Sequence, residues 1–194
     1  MRVAVKETTV YGFDELPDET KEKVLRNLRG INVGDSFWHE CIFDDIKEIG
    51  KLIGIDIDNI YFSGFWGQGD GACFEGSYSY RNGSVKAVKE YAPMDKELHK
   101  IALSLSKAQR KGFYQSTAVI KHRGHYYHKM GTEIWVDNYY DYDYDAICGG
   151  LRSFMDWIYR RLEKEYEYLT SDDSIKNTIE ANEYEFDSNG KIYS

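Results

Sequence analysis

Apolar residues recur every three or four positions over some stretches of this chain and every second position over others. The switches between the two spacings outline its elements. Val24, Leu25 and Leu28 follow Pro17 and Asp18, which predicts a helix from about residue 16 to 29 with an early proline, acids in the first turn and Gly30 as its stop. Trp38, Ile42, Ile46, Ile49 and Ile53 recur at helical spacing after a capping Asp35 or Ser36 and end at Gly54. A short helix is expected over 84–91. A stronger one is expected over 95–111, where Leu98, Ile101, Ala102, Leu105 and Ala108 form one stripe. Leu151, Phe154, Met155, Ile158, Leu162 and Leu169 predict a long amphipathic helix over 151–169, and the acid-rich stretch 170–183 adds a further helix.

The two-residue spacing predicts strands over 3–11, 55–62, 72–80, 113–121 and 126–136. The second and third flank a turn, Gly67-Gln68-Gly69-Asp70-Gly71. The last two are joined at His122-Arg123-Gly124-His125. Tyr184-Glu185-Phe186 and Lys191-Ile192-Tyr193 read as a small terminal hairpin around Asp187-Ser188-Asn189-Gly190. Hairpins mixed with helices, and no βαβ units, give the fold class α+β with a mostly antiparallel sheet packed against amphipathic helices. The 194 residues are expected to form one domain, with residues 170–194 a helix-plus-hairpin appendage.

Composition narrows the function classes. No run of 18 apolar residues occurs, so no membrane partner is expected. The three cysteines, Cys41, Cys73 and Cys148, are odd in number and far apart, which argues against a disulfide framework. With no apolar leader, this makes the cytoplasm the expected compartment. The net charge of −8 is unevenly spread: residues 81–130 carry eleven basic and three acidic groups, and acidic blocks lie on either side. Either these blocks neutralise one another across the fold, or they form surfaces for partners of opposite charge.

Several constellations could carry chemistry. The glycine turn resembles a phosphate loop, but it leads into a strand and lacks a following Lys-Ser/Thr. Its glycines read more simply as positions needing positive φ at a hairpin tip, with Gly67, Gly69 or Gly71 left-handed. Trp66 and Asp70 would then stand at that tip. His122, His125 and His128 have a metal-like spacing, yet strand alternation would send His125 and His128 to opposite faces, so no metal site is expected there. In Tyr139-Tyr140-Asp141-Tyr142-Asp143-Tyr144-Asp145, an extended backbone would place Tyr140, Tyr142 and Tyr144 on one face and the aspartates on the other. That face could mimic a nucleic-acid strand or hold a hard cation; the plainer alternative is a polar loop before a helix. Lys96, Lys100, Lys107 and Lys111 lie opposite the apolar stripe of their helix and, with Arg123, could contact phosphates. No complete hydrolase, metalloprotease or phosphate-loop motif is present, and no cofactor is implied.

The run FSGFWGQGDGACFEG, residues 62–76, together with YGFDEL at 11–16 and EANEYEFDSNGK at 180–191, resembles a family of small phage and prophage proteins, some loosely labelled antitoxins of toxin–antitoxin systems. The resemblance implies a mobile-element accessory protein. In that class anti-CRISPR or other anti-defence inhibition is an expectation, and the absent catalytic motif, the polarised charge and the aromatic-acidic segment point to stoichiometric binding of a host protein or protein–nucleic-acid complex. Trp66, Asp70, Tyr140, Asp141, Tyr142, Asp143 and Tyr144 are the candidate contacts. The alternatives are a nucleotide or phosphate-ligand binder or enzyme using Lys96, Lys100 and Arg123 beside the glycine turn, and direct nucleic-acid binding through residues 81–130. The oligomeric state is not legible.

Overall fold

The computed structural model describes residues 7–139 and 141–193, except for the side chains of Asp141 and Tyr142. It confirms the α+β class: among the described residues, six α-helices accompany two antiparallel sheets. None of those helices is long and apolar enough to cross a membrane. The chain divides into two compact units, residues 39–163 and residues 1–38 with 164–194, whose boundaries fall inside α2 (Phe37–Ile53) and α5 (Asp141–Leu169).

The larger unit is built on a four-stranded sheet of β2 (Ile55–Ser63), β3 (Gly71–Ser79), β4 (Thr117–His122) and β5 (Thr132–Asp137), hydrogen-bonded in that order. Tyr78 and Phe74 on β3, Ile120 on β4 and Ile134 on β5 are buried, while Val119 and Trp135, directly opposite each other, are exposed. One face of the sheet therefore meets the core and the other meets solvent. The helices complete that core. Phe154 of α5 packs edge-on to Phe74 at 5.9 Å, and Trp157 stacks on Phe154 at 5.4 Å. The Trp157 indole N–H donates to Asp95 Oδ2 at 2.7 Å. The other oxygen of Asp95 caps α4 (Lys96–Lys111) by accepting from the Leu98 amide at 2.8 Å. One carboxylate thus fixes both the start of α4 and its seat against α5.

The second unit carries α1 (Asp18–Asn27), α6 (Asp172–Ala181) and a sheet ordered β1 (Tyr11–Gly12), β6 (Glu185–Phe186) and β7 (Ile192–Tyr193). Phe13, Leu16, Val24, Leu25, Ile175, Ile179 and Phe186 form its core. The predicted terminal hairpin is there, but it does not stand alone: Tyr11 pairs with Phe186 and makes it a three-stranded sheet. Asn32 adds a polar clamp. It donates to the Leu169 carbonyl at 3.0 Å and accepts from Thr178 Oγ1 at 2.8 Å.

Several boundaries depart from the periodicity. The described part of the predicted first strand is regular only at Tyr11–Gly12; residues 3–6 lie outside the described residues. The strand expected from 113 begins at Thr117, because Phe113 and Tyr114 are left-handed, at φ 52° and 62°. The strand expected from 126 begins at Thr132. Residues 141–145 are neither extended nor a loop but the first turns of α5. Acids in that position are favoured by the unpaired amides and positive dipole end of a helix N-terminus.

Candidate partner-binding site

The β2–β3 hairpin ends at the pair Ser63↔Gly71, leaving residues 64–70 as its tip. The tip is closed from within. Asp70 Oδ2 accepts from the Gly67 amide at 2.6 Å, and the Asp70 amide donates back to the Gly67 carbonyl at 3.3 Å. Gly69 takes φ +92°, the left-handed value expected at one of the three glycines. Trp66 takes φ +67°, which was not expected. A tryptophan there costs on the order of 1–2 kcal/mol because its Cβ crowds the following carbonyl.

Two neighbours hold Trp66 in that conformation. The Phe65 ring packs on Phe62 at 5.9 Å and on Tyr159 of α5 at 5.6 Å. The backbone N–H of Trp66 donates to the Tyr159 hydroxyl, whose pKa is nonetheless raised, chiefly by burial. The backbone of Trp66 is thus pinned to the helix, while the residue as a whole remains 66% exposed.

A second loop, residues 123–131 between β4 and β5, lies against the tip. A Cβ on Gly71 would stand 2.8 Å from His128 Cδ2 and 3.0 Å from the Tyr127 carbonyl, so the two loops meet only because residue 71 has no side chain. Beneath them, Tyr61 and Tyr127 stack at 5.3 Å with His122 beside both. The Tyr61 hydroxyl and the His122 amide each donate to Glu75, at 3.2 Å. Burial pushes the Glu75 carboxyl up, but those donors and nearby Lys121 outweigh it and hold its pKa below the ordinary value.

Between the loops lies a cavity of about 570 Å³, lined among others by Gln68, Asp70, Arg123, His125, Tyr126 and Met130. Tyr126 and Met130 are more than half exposed. Arg123 Nε sits 3.1 Å from Glu133 Oε2, and its guanidinium lies 5.7 Å from the Trp135 ring. The lining therefore joins the exposed apolar surface of Tyr126 and Met130 to the polar groups of Gln68, Asp70 and two histidines, with its one Arg already paired.

The structure brings some predicted residues together and separates others. Trp66, Asp70 and Arg123 belong to one corner of the larger unit. Asp70 works there as an internal clamp for the turn. Lys96, Lys100, Lys107 and Lys111 lie along the exposed side of α4, and none of them lines the cavity that Arg123 lines. Tyr140 lies outside the described residues, and the side chains of Asp141 and Tyr142 are not described. Asp143 is fully buried, and neither carboxylate oxygen has a hydrogen-bond partner. Tyr144 is partly exposed, with its ring 5.2 Å from Tyr139. A face with rings on one side and acids on the other does not form, because the segment is helical.

Strand parity does not place the histidines, since 123–131 is a loop with a 3-10 turn, and His125 and His128, expected on opposite faces, line one cavity. His122 Nε2 lies 3.2 Å from the Tyr126 carbonyl, and His128 Nδ1 accepts from the Met130 amide at 3.2 Å. Each ring therefore already has one nitrogen engaged in shaping the loop. Among the described residues, no group of three or more His, Cys, Asp or Glu side chains is placed to share a metal ion. Sequence reasoning missed Tyr126, Met130 and Tyr159. The glycine-bounded tract GHYYHKMG signals a loop, but its aromatic residues also fit a strand.

Residues 38–172 match the family described as Domain of unknown function (DUF8835), which covers more than half of the chain, and the protein belongs to that family. No curated protein and no solved structure matches it.

Proposed function

We propose that the protein acts stoichiometrically, by binding, and that the hairpin tip is its anchor. The single observation that carries this reading is Trp66. A large aromatic side chain is two-thirds exposed on a backbone conformation that disfavours it, and Tyr159 and Phe65 hold it there. Strain of this kind collects at functional positions, and exposed aromatics beside a pocket are the usual anchors of protein interfaces. Tyr126 and Met130, also more than half exposed, line the cavity that the tip shares with the second loop through Gln68 and Asp70.

In this reading the protein is a phage-type accessory protein, and its partner is a host protein or protein–nucleic-acid complex in the host cytoplasm. Inhibition of a host defence system, as by an anti-CRISPR, is one form of such action. Support for the mobile-element setting comes from the resemblance of residues 62–76. The test is capture from host lysate with the parent and with Trp66→Ala, followed by titration of the captured partner. Truncating a central aromatic anchor costs about 2 kcal/mol or more, a roughly 30-fold loss of affinity. Equal affinities would remove the tip from the interface.

A second reading is a small phosphorylated ligand in the cavity, favoured by Arg123, His125 and His128 in its lining. The carboxylate of Asp70 in the same lining and the Arg123–Glu133 pair weigh against it. Binding or turnover of a nucleotide, lost in Arg123→Ala, would favour this reading over the first.

A further inference from the structure

The exposed side of α4 is a second surface with its own chemistry. Over sixteen residues it presents Lys96, Lys100, Lys107, Arg110 and Lys111, with Leu103 and Ser104 between them. At 1.5 Å of rise per residue, this row runs about 22 Å. Lys100 and Lys107 stand about 10 Å apart, with Lys96 and Lys111 each about 6 Å further out. Among the described residues, no ion pair within the chain involves Lys96, Lys100, Lys107 or Arg110. The one acid on this helix, Glu97, is taken by Arg160, which donates to it through Nε and Nη2. Lys89 of α3 (Ser84–Tyr91) lines a groove shared with Ser106 of α4, beside the Lys86–Glu90 ion pair at 3.7 Å. A protein with a net charge of −8 thus carries a straight cationic ridge on which Lys96, Lys100, Lys107 and Arg110 are not spent on acids of the described residues.

We infer that this ridge binds the phosphate backbone of duplex DNA without reading its sequence. The inference goes beyond the partner-binding site and does not depend on it. Charge complementarity selects a polyanion, since a duplex carries about one negative charge per 1.7 Å of axis, enough to engage every cation along the ridge. The side chains select a duplex over a single strand. Single-strand binding relies on aromatic rings for base stacking, and the exposed side of α4 carries none. They also disfavour a protein partner, whose interface needs a buried apolar centre. Within α4 only Leu103 is offered, at 43% exposure, and the exposed Phe113 and Tyr114 lie past the end of the helix.

The test uses the purified full chain and a labelled random-sequence DNA duplex of about thirty base pairs, with affinity followed by fluorescence anisotropy from 50 to 200 mM salt. If the four cations Lys96, Lys100, Lys107 and Arg110 engage, log K falls against log salt with a slope of roughly −3.6, a loss of about 150-fold over that range. The double variant Lys100→Gln/Lys107→Gln should bind more weakly, with the slope shallower by about 2, and its unchanged melting temperature would show that the fold is intact. Trp66→Ala should bind the duplex like the parent, which separates this surface from the hairpin tip. Binding weaker than 100 μM at 50 mM salt would overturn the inference. So would a slope unchanged in the double variant, or tighter binding to single-stranded DNA or to duplex RNA of the same length.

Discussion

Replacing Trp66 by glycine and by alanine separates what this residue costs the fold from what it does for binding. Both truncations remove the same indole and the same partial burial against Phe65, whose ring lies 5.9 Å away. They differ in the backbone. At φ +67° an alanine keeps the left-handed cost of about 1–2 kcal/mol, and a glycine does not. Glycine gives back about 0.5–1 kcal/mol through the greater freedom of its unfolded chain. The glycine variant should therefore be the more stable of the two by roughly 0.5–1 kcal/mol, reversing the usual order. For a chain of this length, 1 kcal/mol moves the melting temperature by about 2–4 °C. The expected gap is about 1–4 °C, measured by paired thermal melts and checked by urea titration. Affinity for the captured partner should fall about equally in both, since the indole is absent from each. An alanine variant that melts at or above the glycine variant would show that Trp66 is not left-handed in solution, and the strain argument would go with it.

Other outcomes follow from the same structure. Asp143→Asn replaces a buried carboxyl whose oxygens have no hydrogen-bond partner with an amide of the same size, so stability in urea should rise by about 1–3 kcal/mol; a loss would mean the carboxyl has a partner in solution. Gly71→Ala places a methyl 2.8 Å from His128 and 3.0 Å from a backbone oxygen, which should cost about 1–3 kcal/mol; a neutral result would show that the two loops are not in contact. Burial pushes the Cys73 thiol up to about 11 and the Tyr78 phenol up to about 12. The folded chain then holds protons that the unfolded chain has released, so stability should fall from about pH 9 to pH 11 through Cys73 and from about 10 to 12 through Tyr78. Cys73→Ala should flatten the first part of that fall, and equal parent stability at pH 8.5 and 10.5 would contradict it.

Local patterning determined much of this protein. The stripes that define α2 and α4, the stop at Gly54, the short α3, the Asp95 cap and the turn of the terminal hairpin depend on interactions within a few residues, and such interactions are written in the spacing of side chains. That Gly67, Gly69 or Gly71 would be left-handed was legible for the same reason, and Gly69 is. Contacts between distant residues decided the rest. β1 is two residues long and exists as a strand because Tyr11 pairs with Phe186. Residues 126–131 have the rings of a strand, yet they fold back because the side-chain hydrogens of Gly69 and Gly71 leave room for a loop to lie on the hairpin tip. Asp141 to Asp145 alternate like an extended segment but extend α5, whose packing through Phe154 and Trp157 outweighs the local pattern. Trp66 could not have been read as left-handed at all. Its conformation is set by Tyr159, ninety-three residues away, and only a tertiary contact can hold a bulky side chain where its own backbone preference would not.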